Sequence, residues 1–86
     1  MKVKNMINRN GNKIANQFII IEDNFTIFQS YNSIIAKKWH NGKIELSEHY
    51  DYSMTTKKYL NLFLGINISE VRSKIESGEI SISLKV

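Results

Sequence analysis

The chain has no cysteine and no proline among its 86 residues. The first absence excludes disulfides, thiol catalysis and cysteine-ligated zinc or iron–sulfur sites. Glycine is scarce, and its four copies stand alone at positions 11, 42, 65 and 78. No glycine-rich loop precedes a helix, so a nucleotide-phosphate loop is not expected. The longest apolar run is Phe18-Ile19-Ile20-Ile21, of strand length, against the roughly 20 residues needed to span a bilayer. Met1 to Met6 carries lysines with no apolar stretch behind them, unlike a secretory signal. The expectation is one cytoplasmic domain over residues 1–86, without a membrane contact.

Hydrophobic residues make up 42% of the chain, enough for a modest core. Twelve Lys and Arg against eight Asp and Glu give a net charge of +4. Ile (14), Asn (10) and Lys (10) supply 34 of the 86 residues. All three use A/T-rich codons, which points to an AT-rich genome and inflates the lysine count without a functional cause.

The pattern of hydrophobic residues divides the chain. Residues 1–14 hold Lys2, Lys4, Arg9 and Lys13 and no acid, with a loop around Asn8, Asn10, Gly11 and Asn12. Val3, Met6 and Ile7 suit a short edge strand or one turn of helix. Residues 15–22 read as a central strand, apolar on both faces, and 25–31 as its hairpin partner beyond Asp23-Asn24. Residues 33–39 form a third strand. Asn41-Gly42 signals a type I′ hairpin into 43–48, with Ile44 and Leu46 inward and Glu45 and Ser47 outward.

The period then changes. Ser53 caps a predicted helix over 54–64, with Gly65 beyond its end. Asn67 and Glu70 imitate a capping box for a second helix, which Gly78 ends. Glu70 and Lys74 stand four apart, a pairing worth about 0.3 kcal/mol. Residues 80–86 alternate Ile80, Ile82, Leu84 and Val86 against polar neighbours, as a half-buried strand does. The expected fold is α+β: a single antiparallel β-sheet of about five strands, in the order β-β-β-β-α-α-β, with two short helices packed on one face.

Few residues suggest chemistry. His49, Asp51 and Ser53 are the residue types of a hydrolase triad, but triads are built by tertiary geometry and not by nearness in sequence. A turn and a helix cap explain Asp51 and Ser53 better. His40 and His49 lack metal-ligand spacing, and Glu22, Asp23, Glu45 and Glu48 fall on different strands. No catalytic residue, metal or cofactor is therefore expected. The basic residues carry more. Lys2, Lys4, Arg9 and Lys13 form one group; Lys37, Lys38, Lys43, Lys57 and Lys58, with Trp39 beside them, suggest another. Cations with exposed aromatics suit nucleic acid, while +4 is also an ordinary solubility charge. Gln29, Ser30 and Ser33 are odd in a sheet centre and suggest a bulge or corner held by side-chain hydrogen bonds.

Four blocks carry a resemblance. They are Asn8-x-x-Gly11-Asn12-x-x-x-Asn16-Gln17-Phe18-x-Ile20, Phe28-Gln29-Ser30-Tyr31-x-Ser33-x-Ile35-Ala36, Asp51-Tyr52-Ser53-x-Thr55-Thr56-x-Lys58-Tyr59-x-x-x-Phe63-Leu64, and Lys74-Ile75-x-Ser77-Gly78-Glu79. Together, in order and over nearly the whole chain, they resemble a family of short phage and prophage proteins from low-GC bacteria. The family pattern often has Tyr-Trp before Asp-Tyr-Ser, where this chain has His49-Tyr50, and a basic residue where it has Leu60. The resemblance implies no activity. It implies a context, a small accessory gene of a mobile element, among which counter-defence proteins such as anti-CRISPR inhibitors are common.

From these readings the expected function is non-enzymatic binding of a macromolecular partner. Its sharpest form is inhibition of a host CRISPR–Cas effector, and the alternative is a basic nucleic-acid-binding protein. The partner-binding residues expected are Arg9, Lys13, Lys37, Lys38, Trp39, Lys57 and Lys58. A homodimer through an uncovered sheet face is a further expectation. A DNA mimic should be acidic, which +4 does not suit.

Overall fold

The computed structural model describes residues 1–84. Its elements are β1 (Lys2–Ile7), β2 (Lys13–Ile21), β3 (Phe25–Ser30), β4 (Ser33–Trp39), β5 (Ile44–Leu46), α1 (Met54–Leu64), α2 (Ile68–Ser77) and β6 (Ile80–Ser81). The architecture is α+β, as expected. All six strands join one sheet in the order β1-β2-β3-β4-β5-β6.

Two details of the sheet differ from the sequence reading. It has six strands, because Lys2–Ile7 pairs with β2 as an edge strand. It is also mixed: β6 lies parallel to β5, with Ile44 opposite Ile80. A parallel neighbour needs a long crossover connection, and the segment through α1 and α2 between β5 and β6 supplies it. The last strand is shorter than expected. Ile82 is exposed, and the predicted strand residues Lys85 and Val86 lie outside the described residues.

Local chemistry sets the element ends. Ser53 Oγ accepts from Thr56 N at 3.1 Å and Asn67 Oδ1 from Glu70 N at 2.9 Å, so both helices start on side-chain caps. Gly65 closes α1 at φ 76°, and its N–H donates to Asn61 O at 2.8 Å. The Asn41-Gly42 turn is wider than a two-residue hairpin. Only Gly42 takes a positive φ, and Trp39 N donates to Lys43 O across a longer loop. Lys74 reaches Glu79 at 2.9 Å rather than pairing with Glu70.

Residues in register across the strands share a face. One face carries Ile19, Phe28, Ala36 and Leu46 in one row, and Ile21, Thr26, Lys38, Ile44 and Ile80 in the next. The helices cover this face with Leu60, Leu64 and Val71, and the buried core lies between. Tyr50 packs against that core, and Leu60 is fully buried. Ile35 is an extra residue between the Phe28–Ala36 and Gln29–Ile34 pairs, a bulge that turns it inward beside Ala36. Gln29 Nε2 donates to Tyr31 O at 2.8 Å, so the corner is tied by a side chain, as the odd polar residues suggested. Ser47, expected outward, is completely buried, its N–H donating to Ile35 O.

Candidate functional site: a basic groove beside the first helix

The helices pack over β3, β4 and β6, and leave the helix-side surface of β1 and β2 less covered. A groove runs there along α1. Its two halves share Leu62, which is 58% exposed. Toward the loop between β1 and β2, a cleft of about 1090 Å³ is lined by Arg9, Lys58, Tyr59, Leu62 and Ile66. Toward the β4–β5 turn, a cleft of about 670 Å³ is lined by Lys4, Ile19, Ile21, Lys38, His40 and Phe63. Lys4, Arg9, Lys38, Lys58 and His40 are all exposed. No carboxylate lines either cleft among the described residues. The floor is apolar and the walls are cationic.

Strand geometry explains which lysines meet. Successive side chains on a strand point to opposite faces. Lys38 therefore shares the helix side with Thr26 and Ile21, while Lys37 shares the other face with Ile27 and Glu45. The expected cluster of Lys37, Lys38, Lys57 and Lys58 is split accordingly. Lys58 meets Arg9 in the first cleft and Lys38 meets Lys4 in the second. Lys57 lines neither cleft, and Lys13 sits exposed at the start of β2.

Trp39 also lines the second cleft, but its indole is engaged with side chains of the uncovered face. Its indole Nε1–H donates to Glu45 Oε1 at 2.8 Å, and its ring meets Phe25 edge-on at 5.1 Å. Lys37 Nζ lies 4.1 Å from the Phe25 ring and 4.2 Å from the Trp39 ring. Phe18, Ile20, Ile27 and Ile34 are half-buried on that face, with Asn5 and Gln29 in register beside Phe18. The hydrogen bond from Trp39 holds the Glu45 carboxyl below the usual carboxylate range. A second bond from Ser83 and the Lys43 and Lys37 charges add to this, and burial opposes it.

The triad types do not assemble. Ser53 Oγ is committed to Thr56 N and lies 3.0 Å from Thr56 Oγ1, and His49 Nε2 is 4.0 Å from Glu48. No group of three histidine or acidic side chains converges among the described residues.

Of the groove residues, Lys4 belongs to the first basic group read from the sequence, while His40 and Leu62 stand outside both groups. The rest is not local, because the groove draws residues from position 4 to position 67 into one surface. The one readable signal outside those groups was Leu62, an apolar residue on the side of α1 that also carries Lys58.

No curated protein and no solved structure matches the chain. One family's sequence pattern does match, over residues 1–79, and it covers β1, the groove and both helices. The chain belongs to the family of unknown function DUF8033.

Proposed function

We propose that the protein acts by contact, docking the groove between β1 and α1 on a partner protein whose surface is acidic and apolar. The carrying observation is the composition of that groove: Lys4, Arg9, Lys38, Lys58 and His40 around Leu62, Phe63 and Ile19, with no carboxylate among the lining residues. Opposite charge around an apolar centre steers association and sets register. The exposed Leu62 supplies a central anchor that water would otherwise cover.

The resemblance to phage and prophage proteins supports a specific form of this reading. The partner is then a host CRISPR–Cas effector, met in the bacterial cytoplasm, and the protein is a counter-defence inhibitor. Its positive net charge favours an acidic protein surface over the cationic channel that a DNA mimic would fill.

The test is a DNA-cleavage assay with purified CRISPR nucleases, run with the wild-type protein and with Leu62→Glu and Lys58→Glu. Inhibition by the wild type that both variants lose supports the reading. Inhibition that survives both variants places the contact elsewhere, and no inhibition of any effector defeats the counter-defence form.

The same cations favour nucleic acid as the second reading. Four phosphate contacts on a single strand would cost about 50-fold in affinity between 50 and 200 mM salt. Docking on a protein through Leu62 should change far less. Binding of a single-stranded oligonucleotide with that steep dependence would favour the alternative.

A further inference from the structure

The sheet ends in two unequal edges. β6 closes one side with two residues, and β1 closes the other with six. Among the described residues, the backbone of residues 2–7 bonds to no segment but β2. In an antiparallel pair, about half of a strand's N–H and C=O groups point away from its partner. Those of β1 form an outward row able to accept one more strand. Pairing with β2 is regular from Lys2 to Asn5, and the register shifts beyond Asn5, so the straight part of the edge spans these residues.

The side chains of β1 select which strand fits. Register places Lys2 opposite Ile21 and Lys4 opposite Ile19, on the helix side, and Val3 opposite Ile20, on the uncovered side. All three are exposed, Val3 by 55%. Neither ammonium forms an ion pair among the described residues, and residues 1–21 contain no Asp or Glu. A second copy pairing antiparallel along Lys2–Asn5 would set lysine against lysine on the helix side, which is destabilising. A strand with acids in those places would pair its carboxylates with Lys2 and Lys4. Apolar side chains between the acids would extend the row formed by Val3, Ile20 and Ile27.

We propose that β1 takes an extended acidic segment of the partner protein as a seventh strand of the sheet, with acidic side chains at alternate positions beside Lys2 and Lys4 and an apolar one beside Val3. Backbone bonds supply the affinity, and the alternating side chains supply the selectivity. The inference rests on the reading of the groove as a protein-docking surface, one wall of which β1 forms through Lys4, Met6 and Ile7. It adds the chemistry of the segment that enters.

The experiment is an amide-NMR and hydrogen-exchange titration of the full chain with a capped six-residue peptide that alternates glutamate and valine. Amides within residues 2–5 should shift and exchange more slowly. Two control peptides separate pairing from charge. The same sequence N-methylated at every residue keeps the charge and loses strand pairing; a lysine–valine counterpart keeps the strand and reverses the charge. Neither should bind. Lys2→Glu combined with Lys4→Glu should weaken the glutamate peptide at least about tenfold, while Leu62→Glu leaves its affinity unchanged. Silent amides up to about 5 mM peptide, either control binding as tightly as the parent, or β1 amides already protected by a concentration-dependent dimer would each overturn the edge assignment. Binding lost in Leu62→Glu and kept in the lysine variant would move the peptide into the groove, which overturns the edge and leaves the docking reading standing. The docking reading itself fails on the effector assay, so the two can fail separately.

Discussion

Trp39 donates its indole N–H to Glu45 Oε1 at 2.8 Å across the β4–β5 pair, on the face of the sheet that the helices leave open. With Phe25 at its edge and Lys37 over its ring, Trp39 is a fastener of that face and not a free aromatic platform. Lys4 and Lys38 stand on the other side of the sheet, in the cleft beside α1.

The Trp39–Glu45 bond makes stability depend on pH. The Glu45 pKa is depressed in the folded state, chiefly by the Trp39 bond and then by Ser83. The associated stabilisation is present above the ordinary glutamate range. It fades as pH falls through that range, and is lost below the folded-state value. Glu45→Ala should cost about 1 kcal/mol near pH 7. Melting curves of wild type and variant should converge as pH falls below the ordinary glutamate range; a gap that stays constant with pH would exclude this origin.

Charge reversal should separate the two faces. Lys38→Glu and Lys58→Glu each place a carboxylate in a groove that lacks one. Each should weaken partner binding about tenfold, chiefly through slower association. Lys37→Glu, on the open face, should leave affinity for that partner nearly unchanged. Surface plasmon resonance against the captured partner measures all three, and an equal loss in every variant would contradict the groove assignment.

Tyr31 occupies a left-handed backbone position at φ 54°, where its Cβ is crowded. The turn is held there by Tyr31 N donating to Asn16 O at 2.7 Å and by Gln29 Nε2 on Tyr31 O. Tyr31→Gly should therefore raise stability by up to about 1 kcal/mol, the relief of strain exceeding the entropy cost of glycine. Chemical denaturation measures it. A clear destabilisation would mean that the ring contributes packing that its 58% exposure conceals.

Core and cap variants should fall on two scales. Leu60 is fully buried against Phe28, Ala36 and the other core residues, so Leu60→Ala should cost about 2–5 kcal/mol. Ser53→Ala removes one cap bond and should cost about 1 kcal/mol. Urea midpoints give both, and a Ser53→Ala loss as large as Leu60→Ala would mean that the α1 cap also supports the core.

Much of the local structure is readable along the chain. Ser53, Gly65, Asn67 and Gly78 mark the helix ends because capping depends on residues within four positions. The Phe25–Ser30 and Ser33–Trp39 strands follow from their aromatic and β-branched content. Ser47 was misread because its burial comes from the β4 bulge that carries Ile35, not from its own alternation. The grouping of Lys37 with Lys38 failed for a simpler reason: beyond the bulge, successive residues of a regular strand point to opposite faces.

The amino-acid order by itself determined the type of most elements, the helix ends and the positive charge, since each depends on short-range sterics, local hydrogen bonds or simple counting. Tertiary structure alone decided the parallel return of β6, the open and covered faces of the sheet, and the meeting of Lys4, Arg9, Lys38 and Lys58 along α1. Those features join residues tens of positions apart, and only the packing of helices against one face of the sheet brings them within reach of one another.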